Sequence, residues 1–448
     1  MLDSNPMAPE AAKARTFYIE TFGCQMNVHD SEKVSGLLLQ QGYRPADSAD
    51  EAELVFLNTC AIRDKAEHKV FSRLGELKAD ALAGRKQVGV LGCMAQLEGE
   101  KIFSAAPYVN LVCGSASYRD LPGMLVQLEG GQTRVTGLAY DDEPFETEIT
   151  RRGNPFRAYI TIIEGCNKRC TFCVVPTTRG PERSRTSDSI LAEARRLADA
   201  GYTEIQLLGQ TVNSYRDPGP RRLAFAELLS EVGSIAGVRR VRFATSHPRD
   251  FSADIVEAMD AVETLCNHIH LPVQSGSTPI LRRMARTYTR EEYLEKIALI
   301  RSARRAMSIT TDIIVGFPGE SEADFEETMT LLDAAQYDGI FTFNYSPRPG
   351  TPAQGYEDQL PEEEKTRRLI ALQARQREIQ LRRNEALVSG EVEVLVESRN
   401  PKQRQWTGRT TSNRVVNFAS AEEKLGSYVR VKVTRAGPNS LVAERVTA

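Results

Sequence analysis

The chain has 448 residues, of which 41% are hydrophobic and 26% are charged, so it can bury ordinary cores in about three domains. No apolar run approaches the roughly 20 residues of a membrane span, and the first residues lack the apolar stretch of a secretory signal. The net charge of −3 indicates no particular partner, although residues 386–448 hold ten Lys or Arg against six Asp or Glu. We therefore expect a cytoplasmic protein, in which grouped cysteines are ligands or catalysts rather than disulfides.

Residues 17–130 alternate short apolar runs with helical patterns, which is the βα repetition typical of a parallel sheet. The apolar runs are FYIETFGC, ELVFLNTC, QVGVLGC and YVNLVCG. A helix is expected from Arg63 to Leu82. We predict a doubly wound parallel α/β domain over 15–131, after a disordered tail over 1–14 and before a linker over 132–151. Neither GxGxxG nor GxxxxGK[ST] occurs in this domain, so the sequence does not indicate a nucleotide-binding loop.

Four cysteines of this domain, Cys24, Cys60, Cys93 and Cys113, each close an apolar run just before a helix begins. They should therefore lie at the carboxyl ends of neighbouring strands, which is the edge where open α/β sheets bind ligands. The alternative is four small buried side chains, which cysteine often provides. We predict ligands at Cys24, Cys60 and Cys93, and a structural role for Cys113.

The second segment, residues 152–383, contains six apolar strand runs separated by amphipathic helical patterns. The runs are RAYITIIEGC, EIQLLGQ, RRVRFATSHP, HIHLPVQSG, SITTDIIVGFPG and DGIFTFNYSP. Six successive βα units predict a partial (β/α)6 barrel, whose chemistry should lie on the loops that follow the strands.

The third segment, residues 385–448, follows an Arg-rich helix and alternates apolar and polar residues at period two. This pattern predicts a small antiparallel β-barrel. Its outward basic residues could hold nucleic-acid phosphates or could simply be solvated, and charge alone does not decide between the two.

The loop EGCNKRCTFCVVP, after the first strand of the barrel, places Cys166, Cys170 and Cys173 in the spacing CxxxCxxC. A CxxC alone could be a redox pair or half of a zinc site, but the third thiol and the lack of a nearby CxxH weaken both interpretations. Three thiolates can hold three irons of a 4Fe-4S cluster and leave the fourth iron open to another ligand. A zinc knuckle remains the alternative.

The spacing resembles the radical S-adenosylmethionine (SAM) superfamily, and the chain resembles a methylthiotransferase over essentially its whole length. The resemblance implies an amino-terminal cluster domain, a radical SAM core and a terminal TRAM domain. It implies SAM and two 4Fe-4S clusters as cofactors, one of them on the CxxxCxxC loop. The second cluster, used in sulfur delivery, would be held by Cys24 in TFGCQMN, Cys60 in LNTCAIRDKA and Cys93 in VLGCMAQ.

Shorter strings indicate the substrate. TFGCQMNVHDSE, NTCAIRDKAEHKVF and CVVPTTRGPERSR resemble the tRNA enzymes that convert N6-isopentenyl(dimethylallyl)adenosine at position 37 to its 2-methylthio derivative. The alternatives are threonylcarbamoyladenosine in tRNA and a ribosomal protein aspartate, whose enzymes carry GCKVN-like and GCPKN strings. From another class, a zinc-stabilised RNA-binding protein without catalysis would also fit the cysteines. Thr177 stands where the resemblance leads us to expect an aromatic residue, which puts the local packing in question.

Resemblance also nominates SAM-binding residues, although ordinary strand-end turns are the alternative for each of them. The candidates are Gly209, Gln210 and Asn213 in QLLGQTVNSY, Gln274 and Ser275 in LPVQSGS, and Gly316 in DIIVGFPGE. Three arginines that follow the cysteine loop, Arg179, Arg183 and Arg185, could contact RNA phosphate or the SAM carboxylate, or form a solvated basic face. No catalytic residue is assigned, and Cys266 has no predicted role.

The expected partners follow from this function. The substrate would be the anticodon loop of a tRNA, from which a base must be unstacked at a cost that contacts elsewhere on the RNA must offset. The TRAM domain is expected to supply those contacts. An external electron donor and a sulfur source are required, no membrane is involved, and a monomer is expected.

Overall fold

The computed structural model describes residues 15–61, 64–141, 144, 146 and 150–446, so the predicted tail over 1–14 lies outside the described residues. The chain divides into two compact units. The first is Met1–Gly153 with Thr177–Arg179, and the second is Asn154–Pro176 with Gly180–Ala448. Among the described residues, no helix combines the length and apolar character needed to cross a membrane.

The first unit contains a six-stranded parallel sheet in the order β2-β1-β3-β4-β5-β6. Its strands are β1 (Thr16–Phe22), β2 (Arg44–Pro45), β3 (Leu54–Thr59), β4 (Gln87–Gly92), β5 (Leu111–Gly114) and β6 (Val135–Gly137). Its helices are α1 (Gln25–Gln40), α2 (Asp64–Leu82), α3 (Cys93–Glu98), α4 (Lys101–Ala105) and α5 (Leu121–Glu129).

Helices cover both faces of this sheet, because the strands bury apolar side chains on both sides. Phe56 and Leu91 pack in one core with Leu38 of α1 and Leu125 of α5. The other core joins alternate strand residues to α2, α3 and α4. The predicted doubly wound fold is confirmed. The strand order reverses between β1 and β3, and ligands of such sheets bind at this point.

Strand β6 was not predicted. It pairs in parallel with β5, through Leu111 and Val135, inside the range 132–151 that the sequence suggested was a linker. A three-residue strand is too short to show a period-two pattern, so only the structure reveals that the sheet continues past residue 131.

The second unit begins with six parallel strands in two three-stranded sheets, β7-β10-β11 and β12-β13-β14. They are β7 (Arg157–Thr161), β10 (Glu204–Leu208), β11 (Arg240–Phe243), β12 (His268–His270), β13 (Ser308–Val315) and β14 (Gly339–Asn344). A parallel bridge between Val241 and Leu265 links the two sheets. Strands β7 and β14 are the free edges among the described residues, so the predicted six-stranded partial barrel is confirmed.

Two short strands, β8 (Ile163–Glu164) and β9 (Arg183–Ser184), pair antiparallel on either side of the cysteine loop. The helices of this part of the chain are α6 (Val175–Arg179), α7 (Ser187–Asp199), α8 (Phe225–Gly233), α9 (Ala253–Ala261), α10 (Thr278–Arg283), α11 (Arg290–Arg301), α12 (Glu322–Ala335) and α13 (Glu362–Glu385). Ile205, Ile309 and Ile313 belong to the large core that these helices form against the strands.

The carboxyl-terminal part is a closed five-stranded barrel in the order β15-β16-β17-β19-β18. Its strands are β15 (Glu391–Asn400), β16 (Gln405–Arg409), β17 (Val415–Ala419), β18 (Tyr428–Ala436) and β19 (Leu441–Arg445). The predicted barrel is confirmed, although one of its strand pairs, β17 with β19, is parallel. Alternating buried residues such as Val416, Phe418 and Val431 fill its interior.

This small barrel docks against the amino-terminal ends of β7, β10 and β11. Arg242 donates to the carbonyl oxygen of Thr410 at 2.6 Å and to Glu204 at 3.0 Å. Arg240 donates to the carbonyl oxygen of Arg409 at 2.8 Å. Because Glu204, Arg240 and Arg242 are all buried, the docking contact is made by paired charges shielded from water. The carboxyl ends of the barrel strands remain available for a ligand.

Candidate active site

The first unit brings Cys24, Cys60 and Cys93 to one edge of its sheet. Thr59 of β3 pairs in register with Gly92 of β4, so Cys60 and Cys93 follow two neighbouring residues. The Cys60 amide donates to the carbonyl oxygen of Phe22 at 3.0 Å, beside the turn that leads to Cys24. All three thiols therefore follow adjacent strands at the switch point of the sheet, as the sequence predicted.

Buried amides and hydroxyls surround this edge. Cys24 caps α1, and its thiol donates to Asn27 Oδ1 at 3.4 Å. Asn58 Nδ2 donates to the carbonyl oxygen of Asn27 at 2.9 Å and to Ser31 Oγ at 2.8 Å. The Cys93 thiol lies 3.9 Å from Ser115 Oγ. These contacts hold the backbone around the cysteines in place.

An ion pair lies within the same unit. Arg179 Nη2 donates to Asp30 Oδ2 at 2.6 Å, and both side chains are buried. Burial opposes the charge of Arg179, but Asp30, Cys93 and Tyr118 raise its pKa well above its usual value. Arg179 is therefore not part of a solvated basic face. The side chain of Thr177, where the resemblance leads to the expectation of an aromatic residue, is exposed.

The two remaining cysteines lie inside the cores. Cys113 is fully buried within β5, and its thiol donates to the carbonyl oxygen of Ser117 at 3.5 Å. Burial raises the pKa of the Cys113 thiol far above its ordinary value. Cys266 is also buried, and its pKa is raised for the same reason. Both therefore stay neutral, which is the structural role predicted for Cys113.

In the second unit, Gly165 begins the CxxxCxxC loop with a φ of 75°. A Cβ there would lie 2.6 Å from the carbonyl oxygen of Gly180, so only glycine allows the two ends of the loop to meet. The Cys166 amide donates to that same oxygen at 3.1 Å. Cys166 and Cys170 are almost fully buried. Burial raises the pKa of Cys166, and raises that of Cys173 to about 12.

A buried cation touches this loop. Arg286 Nη1 donates to Cys170 Sγ at 3.4 Å, and its other nitrogens donate to Tyr288 and to the carbonyl oxygen of Pro272. Burial raises the pKa of Tyr288 to about 12, so the phenol stays neutral and Arg286 supplies the positive charge. A guanidinium in this position stabilises negative charge on a thiolate ligand.

The loops after β10 and β11 also hold each other. Asn213 Nδ2 donates to the carbonyl oxygen of His247 at 2.9 Å, and its Oδ1 accepts from the His247 amide at 2.7 Å. Both polar atoms of the amide are engaged, so Asn213 supports the neighbouring loop. Lys168, inside the cysteine loop, forms an ion pair with Asp250. Burial, followed by the nearby cations Arg286 and Lys168, lowers the pKa of His247 to about 2.

Unsatisfied polar atoms mark the carboxyl ends of four barrel strands. The buried side-chain oxygens of Thr161, Gln210, Ser246 and Asn344 have no hydrogen-bond partner among the described residues. They end or follow β7, β10, β11 and β14 respectively. Because buried polar groups are nearly always paired, such a group of atoms indicates a ligand-binding position. The prediction for Gln210 is consistent with this position, and Gly209 beside it packs against Ile163.

The remaining SAM candidates, Gln274, Ser275 and Gly316, lie in the segments that follow β12 and β13. Gln274 has a φ of 76°, and its amide and carbonyl bond to Asp312 and Ile314 of β13. Ser275 is fully buried, and its Oγ accepts from the Ser277 amide at 3.2 Å. Gly316 has a φ of 69° and a close approach to Lys365 of α13, so a side chain there would be strained.

Arg183 and Arg185 are both buried and do not form a solvated face. Arg185 donates to Glu193 and to Ser189, each at 2.8 Å, and is held within the protein. Arg183 lies 3.5 Å from Glu164, but its Nε and Nη1 have no partner among the described residues. Arg183 thus keeps two donors that could bond to a ligand carboxylate.

Sequence reasoning missed Arg286, His247 and the buried groups Asn58 and Asp30. Nothing in the spacing of Arg286 relates it to the cysteine loop, which lies more than 100 residues away. Asn58 carried one signal, since a polar residue inside the apolar run ELVFLNTC must find a partner when it is buried. Within the described parts of the chain, no three His, Cys, Asp or Glu residues are arranged around a single metal ion.

Comparison with known families divides the chain as the fold does. Residues 16–114 match the uncharacterized protein family UPF0004, residues 160–332 match the radical SAM superfamily, and residues 386–446 match the TRAM domain. The cysteine loop, its partial barrel and these matches define a radical SAM protein with a TRAM domain. Its class implies a 4Fe-4S cluster and SAM.

Curated relatives match almost the whole chain. The tRNA-2-methylthio-N(6)-dimethylallyladenosine synthase of Solibacter usitatus is 62% identical, over 97% of this chain and 98% of the relative. The enzymes of the same name from Koribacter versatilis and Aquifex aeolicus are 58% and 42% identical, over 98% and 96% of this chain and 100% and 98% of their own. The chain belongs to the tRNA-2-methylthio-N(6)-dimethylallyladenosine synthase family.

Solved structures share the fold at low identity. The radical SAM methyltransferase TsrM from Kitasatospora setae, bound to tryptophan and a SAM analog, has a TM-score of 0.55 and 13% identity. The match covers 76% of this chain and 75% of TsrM. At this identity the likeness concerns the fold alone.

Proposed function

We propose that this chain methylthiolates N6-isopentenyl(dimethylallyl)adenosine at position 37 of tRNA, giving the 2-methylthio derivative, by radical SAM chemistry with a second iron-sulfur cluster in sulfur delivery. The observation that carries the proposal is the continuous match to enzymes of this name, at up to 62% identity along 97% of the chain. Threonylcarbamoyladenosine and a ribosomal protein aspartate become secondary substrates to test, because the three relatives named above carry neither name.

The cysteine loop fits a 4Fe-4S cluster. Cys166, Cys170 and Cys173 offer three thiols on one turn, and three protein ligands leave one iron for SAM. When bound, the cluster and SAM supply one-electron cleavage of the sulfonium and a radical able to remove hydrogen. The chain supplies the turn at Gly165, the charge of Arg286 against Cys170 and the ion pair that fixes Lys168.

We propose that SAM binds at the carboxyl ends of the barrel strands. There, buried polar atoms lack partners among the described residues, or the backbone takes an unusual conformation. Gln210 and Arg183 have free buried polar atoms, which suit the polar methionyl end of SAM. Gly209, Gln274, Ser275 and Gly316 shape the backbone of neighbouring strand ends, and we propose that they line the same ligand. We propose that Asn213 positions the loop after β11, because its side-chain amide is hydrogen-bonded to the backbone of His247.

We propose that Cys24, Cys60 and Cys93 hold the second cluster. The support is their position after three adjacent strands, together with a buried shell of amides and the Arg179–Asp30 pair. Three thiols on three strands would again leave an iron without a protein ligand, and that iron could carry the sulfur to be transferred. An external sulfur source must restore it, and an external reductant must supply electrons.

The tRNA would be held through its anticodon loop, with the TRAM barrel providing phosphate contacts. Unstacking the base costs a few kcal/mol, which contacts outside the site must offset. We further propose a cytoplasmic monomer, because the substrate is tRNA and the sequence indicates no other compartment.

The test is mass analysis of nucleosides after anaerobic incubation of reconstituted protein, SAM and a reductant with isopentenylated tRNA, and in parallel with threonylcarbamoylated tRNA. We expect 2-methylthio-isopentenyladenosine only. Product from the second RNA alone would overturn the substrate assignment. Iron and zinc analysis of the same sample tests the remaining alternative, because colourless protein with stoichiometric zinc would contradict a radical enzyme.

A further inference from the structure

The two faces of the sheet β12-β13-β14 differ in burial, because buried side chains alternate with partly exposed or exposed ones along β13 and β14. Along β13, Ile309, Ile313 and Val315 point to the large core formed with the surrounding helices. Thr310 and Asp312 alternate with them and lie on the opposite face. In a barrel of parallel strands with helices outside, this opposite face is the interior.

Two aromatic side chains stand on this interior face. The register pairs Asp312 with Phe341 and Ile314 with Phe343, so both phenylalanines share the face of Asp312. Their exposed fractions are 56% and 37%, which is high for aromatic residues inside a barrel. An exposed apolar surface in a concave position indicates an apolar ligand.

An acidic group adjoins this aromatic wall, which we define as Phe341 and Phe343. Asp312 Oδ1 lies 3.4 Å from His270 Nε2, while His270 Nδ1 lies 3.0 Å from Thr310 Oγ1. The His270 ring meets Phe341 edge to face at 5.7 Å between centroids. The wall and the polar pair therefore form one continuous surface.

The wall also adjoins the cysteine loop. Ile314, the register neighbour of Phe343, packs against a small buried cluster that includes Phe317 and Tyr345. Phe172, between Cys170 and Cys173, packs against the same cluster. A group lying on the aromatic wall would thus be inside the barrel on the side of the radical cluster.

Arginines on β11 and on the small barrel are held in ion pairs with carboxylates that other arginines share. Arg242 and Arg157 both bond to Glu204, and Arg409 bonds to Glu397. Arg414 and Arg383 both bond to Asp338. Asp312, with His270 beside it, is an acidic group that a ligand on the wall would meet.

We infer that Phe341 and Phe343 bind the dimethylallyl substituent of the adenine, and that Asp312 with His270 excludes substituents that carry a carboxylate. This inference rests on the proposed function and identifies the residues that select its substrate. The branched five-carbon substituent is uncharged and apolar, so it gains from burial against two aromatic rings. A threonylcarbamoyl group or a protein aspartate would bring a second carboxylate beside Asp312 and lose its hydration.

The experiment measures affinity for RNA with and without the prenyl group. Fluorescein-labelled anticodon stem-loops, dimethylallylated or unmodified at position 37, are titrated anaerobically with reconstituted protein and SAM. Wild-type protein should bind the prenylated RNA about tenfold more tightly. Phe341→Ala and Phe343→Ala should lose most of that ratio and bind unmodified RNA as wild type does. Since Phe341 is largely exposed, its loss should not unfold the barrel, and Phe341→Leu provides a milder version.

The matched control is Thr342→Ala. Thr342 lies between the two phenylalanines on β14, but its hydroxyl accepts from Gln373 on the outer face. The Thr342→Ala variant should prefer prenylated over unmodified RNA by the same ratio of affinities as wild-type protein. Phenylalanine variants that keep the full ratio, or wild-type protein that shows none, would overturn the aromatic site.

Asp312→Asn tests the selection by charge. It should raise the rate with threonylcarbamoylated RNA, relative to the rate of the same variant with isopentenylated RNA, at least about tenfold. An unchanged preference would overturn this role. The proposed function fails separately, if wild-type protein makes no 2-methylthio-isopentenyladenosine at all. Product from wild type together with phenylalanine variants that behave as Thr342→Ala would remove only the inference.

Discussion

Arg286 reaches across the barrel to a cysteine of the proposed radical cluster, donating from Nη1 to Cys170 Sγ at 3.4 Å. The guanidinium is buried, and it is also held by Tyr288 and the carbonyl of Pro272. A positive charge fixed beside a thiolate favours the more negative, reduced state of a cluster. Arg286, which follows α10, therefore places a positive charge beside the cysteine loop after β8, where it can affect the reduction of a cluster bound there.

We predict that Arg286→Gln lowers the reduction potential of this cluster by roughly 60 mV, the equivalent of a tenfold change for one electron. The physical reason is the loss of a positive charge that stabilises the added electron. The measurement is a redox titration followed by electron paramagnetic resonance. Arg286→Lys is the control, because it keeps the charge while changing the hydrogen bonds. A potential unchanged in the glutamine variant, with full iron content, would contradict a role in tuning.

Substitutions in the two sets of cysteines should abolish different steps of the proposed reaction. Changing Cys166, Cys170 or Cys173 to Ala should abolish SAM cleavage, because the radical cluster is lost. Changing Cys24, Cys60 or Cys93 should permit SAM cleavage to 5′-deoxyadenosine and stop sulfur insertion. Iron content, 5′-deoxyadenosine and methylthiolated nucleoside are measured in each variant.

The matched control for both sets is Cys113→Ala, which removes a thiol from the core of the first unit. It should keep the iron content of wild-type protein. Equal partial losses in both cysteine sets would argue against the proposed division between two clusters. Loss of iron in Cys113→Ala would show that packing, rather than ligation, explains the effects in the first unit.

The sequence predicted those strands and helices that depend on residue patterns along the chain. All six barrel strands lie within predicted strand runs that alternate with amphipathic helical segments, and the five strands of the TRAM barrel follow period-two alternation, so both were found from the pattern. Cys24, Cys60 and Cys93 were placed together because parallel strands end at one edge. A strand as short as β6 carries no such pattern, and the sheet was therefore predicted to end too early.

Contacts between distant side chains could not be predicted. Arg179, Arg183 and Arg185 were interpreted together because they are neighbours in sequence, but their carboxylate partners Asp30, Glu164 and Glu193 lie on different elements. Likewise, nothing in the sequence around Asn213 indicates that both polar atoms of its side-chain amide bond to the backbone of His247. Burial and pairing depend on the assembled fold, which a single motif does not contain.

His247 provides a prediction about pH. Its folded-state pKa, about 2, lies below the roughly 6.5 of an exposed histidine, so below pH 6.5 the unfolded state binds a proton that the folded state does not. Stability is thus lost as the pH falls through 6.5. We expect His247 to account for up to about 1.4 kcal/mol per pH unit between pH 6 and 5. Urea unfolding of the transition that includes the barrel, at pH 7, 6 and 5, measures it.

His247→Gln should flatten this dependence, although not remove it, since burial also lowers the pKa of His268. Asp250, whose pKa is lowered chiefly by its bonds to Lys168 and Ser214 against the effect of burial, loses its stabilising charge only at lower pH. The control is His68→Gln on the exposed side of α2. If His247→Gln and His68→Gln gave the same slope as wild-type protein, the buried neutral imidazole would not be the cause.

The contribution of the TRAM barrel to RNA binding cannot be tested cleanly by deletion after Glu385. Deletion would remove the carbonyl oxygens of Arg409 and Thr410 that pair with Arg240 and Arg242. Arg242 would keep Glu204, but Arg240 would lose Arg409 and Glu393 and a buried contact surface would be uncovered. Poor RNA binding by the truncated protein would not distinguish lost RNA contacts from altered packing of the radical SAM barrel, so surface substitutions are the sharper test.

On β18, Arg430 and Lys432 alternate with buried valines and are exposed to solvent. Replacing both by Ala should weaken binding of the anticodon stem-loop about tenfold at 0.1 M salt, and should lower the slope of log affinity against log salt by roughly one for each charge. The matched control replaces Arg195 and Arg196, which are exposed on α7 of the barrel. Fluorescence anisotropy at several salt concentrations gives both quantities. If the two pairs of substitutions produced equal losses, phosphate contact would be spread over the surface, and the β18 face of the TRAM barrel would have no special part in holding the RNA.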